Sequence, residues 1–222
     1  MADGVKICHV ILNFDSDYMV TPVKLRGFLG HLFTNISEFH HHSENSYHYP
    51  LIQYKRADKK LLVVGIGEYA NVVFQKMSGL DHITTETQKI PLNSIEIKSI
   101  TFEVKVYPQR YKFVSPWLAL NEKNYAKFKE LKENEKKPFL EKILVGNILS
   151  LLKGLGIFVE HNISVSIVKF STRQVTTHQN KFAGIFAEFD CNTELPEFLG
   201  LGKSVTKGLG VITRIPQDTE LK

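Results

Sequence analysis

The chain has 222 residues, 43% hydrophobic and 23% charged, with a formal net charge of +5. That length suggests one large domain or two of about 100 residues each, and the apolar fraction excludes a disordered chain. Two cysteines, Cys8 and Cys191, exclude a disulfide framework and zinc-finger spacing. The opening MADGVKICHVILNF has no basic stretch ahead of its apolar run, so it is not expected to be a secretory signal. No run of about 18 apolar residues is present to span a membrane. The expectation is a soluble, cytoplasmic protein without a membrane partner. Of the 28 basic residues, 23 are lysines, and the pI is near 9.0. A mild basic excess is compatible with nucleic-acid binding, and equally with a solubilising surface.

Val5 to Phe14 is apolar and β-branched, the composition of a strand. Thr21 then precedes Pro22, an N-cap followed by proline at the first helical position, and predicts a helix over Pro22–Ile36. Gly27 and Gly30 weaken that helix by roughly 1 kcal/mol each relative to alanine, and allow close approach of a backbone or a ligand. Phe39 to Pro50 (FHHHSENSYHYP) is polar, aromatic and rich in histidine, and reads as a loop. Leu51–Arg56 and Lys60–Gly67 read as a β-hairpin around a turn at Ala57-Asp58, and Glu68–Met77 as a helix. Asn93–Tyr111 alternates apolar and charged residues, as a long strand or a hairpin with a slip near Ser99 would.

The order β-α-β-β-α-β is that of a ferredoxin-like unit. Pro108–Pro116 has the look of a junction. Asn121–Asn134 predicts a solvated lysine-rich helix. Pro138–Lys153 predicts a helix with an apolar stripe, stopped by Gly154. Ile163–Phe170, extended by or paired with Arg173–Thr177, reads as a strand, as do Lys181–Asp190 and Val211–Ile215. Pro196–Leu199 makes a helical turn. The whole is α+β: two tandem ferredoxin-like (RRM-like) domains, residues 1–112 and 113–222, the second degenerate. Trp117 is assigned to the core of the domain junction.

Between the last two strands lies GLGKSVTKGLG. Gly200, Gly202, Gly208 and Gly210 bracket Lys203, Ser204, Thr206 and Lys207. Glycines free the backbone N–H groups, and lysines and hydroxyls between them suit a phosphate. The segment is not a P-loop. Glu197 stands where that motif needs glycine, and 18 residues after Ser204 are too few for the remaining nucleotide machinery. The alternative is a flexible loop before an edge strand.

This loop, with the helix VKLRGFLGHLF (Val23–Phe33) and the run KLLVVGIGEY (Lys60–Tyr69), resembles the RAMP superfamily of CRISPR-associated RNA-binding proteins. In length and layout the chain is similar to that superfamily's endoribonucleases that cut CRISPR repeats. The resemblance implies metal-independent cleavage of precursor CRISPR RNA. The 2′-hydroxyl attacks, leaving 2′,3′-cyclic phosphate and 5′-hydroxyl ends. It implies no cofactor and a single-stranded or hairpin repeat RNA as partner. Homodimers and CRISPR effector complexes are both compatible with it. It places a catalytic histidine at or just after the end of the first helix, which is here the histidine loop.

In-line attack needs a base, an acid and a donor to the pentavalent phosphorane. Histidine can be base or acid near neutral pH. His40 and His42 are the expected acid/base residues, with Tyr47 an orienting donor. In an extended loop His40 and His42 would share a face. Tyr49 and His48 are further candidates, and His31 is more simply a helix-face residue. Lys24 and Lys55 are the lysines that could assist, each more simply read as surface charge, and Arg56 or Lys55 is a candidate to sit near the cut. Gly200, Gly202, Lys203, Ser204, Lys207, Gly208 and Gly210 are the expected RNA-binding residues, with Arg173, Lys181 and Arg214 adding phosphate contacts. The competing readings are a non-catalytic RNA-binding RAMP subunit of an effector complex, and a metal enzyme using the histidines.

Overall fold

The structure is a computed structural model that describes residues 4–14, 20–40, 48–57, 60–177 and 180–216. The N-terminal half runs β1 (Val5–Asn13), α1 (Pro22–Leu32), α2 (Ser37–His40), β2 (Ile52–Ala57), β3 (Lys60–Ile66), α3 (Glu68–Met77), a small β4/β5 hairpin (His82–Thr84, Lys89–Pro91) and β6 (Ser94–Phe102). Its four-stranded antiparallel sheet has the order β2-β3-β1-β6. The C-terminal half runs β7 (Val106–Phe113), α4 (Glu122–Glu130), α5 (Glu133–Gly154), β8 (Val165–Thr177), β9 (Asn180–Thr193), a 3-10 turn (Val205–Lys207) and β10 (Ile212–Arg214). Its sheet order is β10-β7-β9-β8. Numbered within each half, both orders place the first and third strands at the centre, as in a ferredoxin-like fold. The second half has no α-helix between its third and fourth strands; the glycine-rich segment occupies that place.

The alternation over Asn93–Tyr111 is neither one strand nor a hairpin. β6 and β7 enter different sheets, and the chain crosses between the halves at 103–105. Each of these two strands keeps its own alternation because one of its faces is more buried than the other, so periodicity alone carries no mark of the break.

The first helix starts as its sequence requires. Thr21 Oγ1 accepts from the Lys24 amide at 3.2 Å, and Pro22 opens the helix. It ends earlier than expected, at Leu32, and the chain restarts as α2 after a turn. Thr34, Asn35 and Ile36 are weak helix formers. Fully buried Phe39 packs on Phe33 with ring centroids 4.9 Å apart, and its carbonyl accepts from the Tyr54 hydroxyl at 3.0 Å. His40 therefore sits on a helical turn, not in an extended loop.

α5 begins at Glu133 and contains Pro138 rather than starting at it. The Glu135 carboxylate accepts from the Lys132 amide at 2.9 Å, which anchors the start. Its end is a Schellman motif: the Ile157 amide donates to Leu152 and the Gly156 amide to Lys153, with Gly156 at φ +72°. The stop is thus Gly156. Gly154 has a different reason, since a Cβ there would collide with the Tyr49 side chain.

Two cores result. Cys8, Val10 and Leu12 of β1 pack with Leu25, Leu29 and Val73 from the helices of the first half. Ile7, Val64 and Ile66, from the first sheet, join the core of the second half with Trp117, Leu144 and Phe189. The first sheet is covered on both faces, which is why Leu61–Ile66 is a continuous apolar run. Trp117 is fully buried and stacks on Phe113, as expected of a junction core residue.

Candidate active site at the domain joint

The glycine-rich segment does not hang free. Its 3-10 turn packs against α1 and β2 of the first half. Lys55, fully buried on β2, donates its Nζ to the Val205 carbonyl at 2.7 Å. Lys55 is thus no surface charge: it ties the two halves together, and burial pushes its ammonium well below the usual lysine range. Tyr49, also buried, donates its hydroxyl to the Gly200 carbonyl at 2.8 Å. Its ring is built into the joint rather than offered to a base.

The glycines are there for packing as much as for conformation. A Cβ on Gly200 would lie 2.7 Å from Lys55 Nζ. Gly208, at φ +84°, would put a Cβ 2.6 Å from Pro22 Cγ at the start of α1. Gly202 and Gly210 also have positive φ. Six of the eleven backbone amides are engaged inside the protein: Gly200 with Gln53, Leu201 with Gly210, Lys203 with Leu118, Lys207 with Ser204, Gly208 with Val205 and Gly210 with Pro116. Those six N–H groups are therefore closed to a phosphate ligand, while the side chains of Lys203 and Lys207 stay at least partly exposed.

Its two lysines face different surfaces. Exposed Lys203 lines a cleft of about 820 Å³ with Lys123, Arg173 and Lys181, over the β8–β9 hairpin. Lys207 is half-buried on the side of α1, where burial and the Arg26 charge lower its pKa. Arg26 donates Nη2 to the His40 carbonyl. The His40 ring rests over Gly30, where a Cβ would be 3.1 Å from Nδ1. The arrangement thus brings His40, Arg26 and Lys207 to one place on the joint.

His42 and Tyr47 lie outside the described residues. His31 and His48 are exposed. Arg214 is not a free phosphate contact: it pairs through Nη2 with Glu194 at 2.6 Å. Among the described residues no group of three or more His, Cys, Asp or Glu is placed to hold a metal ion. Arg26 is not among the site residues expected from the sequence. Its signal was its identity, one of five arginines beside 23 lysines, one turn before Gly30. A planar fork is chosen where two groups must be held at once.

Paired ferredoxin-like units with a glycine-rich segment before the last strand define a RAMP-type protein. Family comparison is more specific. The Cas6b N-terminal domain model matches residues 5–103, and the Cas6b C-terminal domain model matches residues 103–215. The chain belongs to the Cas6b family. It is similar to an uncharacterised protein of Methanocaldococcus jannaschii, 42% identical over 132 residues, 60% of this chain and 90% of that one. A crystal structure of Cas6b is 27% identical over 95% of this chain and 99% of that chain, with a TM-score of 0.84. A crystal structure of the CRISPR RNA processing endoribonuclease Cas6b is 26% identical with the same coverage and a TM-score of 0.74. The resemblance to CRISPR-associated RAMP endoribonucleases is borne out at the level of family and fold. No helix among the described residues is long and apolar enough to cross a membrane.

Proposed function

We propose that this protein cuts precursor CRISPR RNA within its repeats by 2′-hydroxyl attack, without a metal ion. The observation that carries the reading is the convergence of His40, Arg26 and Lys207 where the two halves meet. His40 and His42 act as the acid/base group. One takes the proton of the 2′-hydroxyl as its oxygen bonds to phosphorus. The other protonates the departing 5′-oxygen as the P–O5′ bond breaks, so the products are a 2′,3′-cyclic phosphate and a 5′-hydroxyl. Arg26 and Lys207 supply positive charge to the phosphorane, whose negative charge grows in the transition state. Tyr47 orients the reacting group. Lys203 and the cleft with Arg173 and Lys181 hold the RNA backbone by charge, an interaction that weakens steeply with salt.

The test is incubation with labelled repeat RNA in excess EDTA, with deoxyribose introduced at one nucleotide at a time. The reading expects one cut that persists in EDTA and disappears with a single deoxy substitution. Cleavage that EDTA abolishes would overturn it. Binding without cleavage would favour a structural RNA-binding subunit.

A further inference from the structure

The joint holds a second cavity, of about 270 Å³, that shares no lining residue with the His40 surroundings. One wall is the first sheet, with His9 and Leu62; the other is the stretch after β9, with Phe198, and Arg214 of β10. Among the described residues, the buried side-chain polar atoms without a hydrogen-bond partner are His9 Nε2 and Arg214 Nε, and both residues line this cavity. Buried polar atoms are ordinarily satisfied, so two orphans on one cavity call for a ligand or for water. The volume equals about nine waters at roughly 30 Å³ each. Two orphans need one or two.

The lining has further signs of a built site. His9 is only 6% exposed, and its ring meets that of Phe198 edge to face at 5.6 Å. Phe198 has φ +62°, a conformation that a bulky residue holds only where its surroundings force it. Charge decides what kind of ligand fits. Arg214 and exposed Lys98 are balanced by Glu194 and Glu197 on the same cavity, and Arg214 already pairs with Glu194. Burial keeps the His9 ring neutral near pH 7. A phosphate would find no net positive charge there. A neutral ring would find apolar walls, a donor in Arg214 Nε–H, and an acceptor in His9 Nε2, because the other nitrogen of the neutral His9 ring donates to the Glu197 backbone. A nucleobase edge sets donor beside acceptor, and unpaired bases are recognised in this way, by aromatic contact and edge hydrogen bonds.

We propose that this cavity receives one unpaired nucleobase of the bound RNA, with its edge on His9 and Arg214 and its ring against Phe198. The proposal rests on the nuclease reading, and gives it a point of sequence discrimination away from the cut. The test measures binding of repeat RNAs carrying one abasic nucleotide at a time, with the wild-type protein, His9→Leu and Phe198→Gly. Phe198→Gly removes the ring while relieving the positive φ, so it is expected to fold where His9→Leu fails to. At one position the abasic change is expected to weaken wild-type binding by about tenfold. At that position it adds less than twofold in either variant, because the pocket has already been lost. If no position couples to either variant while repeat RNA is still bound and cut, the base pocket is wrong and the nuclease reading stands. If wild-type protein neither binds nor cuts repeat RNA, both are wrong.

Discussion

The two halves share a strand order but differ in what covers their sheets. The N-terminal half has α3 between its third and fourth strands, and Val73 and Met77 of that helix close its core. At the same place the C-terminal half has Glu194–Val211, a coil with one 3-10 turn. That coil is free to reach across, where Lys55 and Tyr49 of the first half hold it by hydrogen bonds to Val205 and Gly200. The missing helix is thus what brings Lys207 to Arg26 and His40. In the proposed function the complete half carries the acid/base chemistry, while the incomplete half carries a basic cleft and delivers one cation to the other's site.

The largest effect is expected in the N-terminal half. His40→Ala should lower the single-turnover cleavage rate by roughly 10²- to 10⁴-fold, the range for loss of a general acid or base. RNA affinity, read by filter binding, should change little, because the cleft with Lys203 and Arg173 is untouched. An equal loss of affinity would mean that the division between halves is false.

A smaller effect belongs to the joint itself and concerns stability. Burial lowers the His9 pKa from 6.5 to about 4. As pH falls below 6.5 the unfolded chain takes up the proton first, so His9's contribution is complete above that pH and is lost on the way to about 4. The loss amounts to roughly 3 kcal/mol at most. Urea unfolding at pH 7 and at pH 4.5 should show wild type losing stability on acidification, and His9→Leu losing distinctly less. Equal acid sensitivity would show that His9 is solvated, and that the halves do not close over it.

The sequence was most informative where local chemistry and burial agree. The Thr21–Pro22 start, the β2–β3 hairpin and the helix over Glu68–Met77 could all be read from caps, turn residues and periodicity. The glycine-rich segment was also visible, but its logic was not. Several of its amides are bonded to residues distant in sequence, Gln53, Leu118 and Pro116, and no local pattern reports such pairing. Lys55 differs from its expected surface role for a related reason: a lysine in a short strand looks solvated, and only the other half of the molecule buries it. Pro138 marks a helix start by rule, yet sits inside α5, since packing of Leu140, Leu144 and Ile148 outweighs one absent hydrogen bond. α2, four residues long, is too short for any periodic signal, although it carries His40.

If the loop's two lysines serve different purposes, single-turnover cleavage over a range of RNA concentrations separates them. Lys207→Ala should lower the saturated rate at least tenfold, as expected when a cation is withdrawn from the phosphorane, with little change in the half-saturating concentration. Lys203→Ala should raise the half-saturating concentration and move the saturated rate by less than twofold. If both variants shift only the half-saturating concentration, the loop is a phosphate grip on both faces and Lys207 has no part in the chemistry.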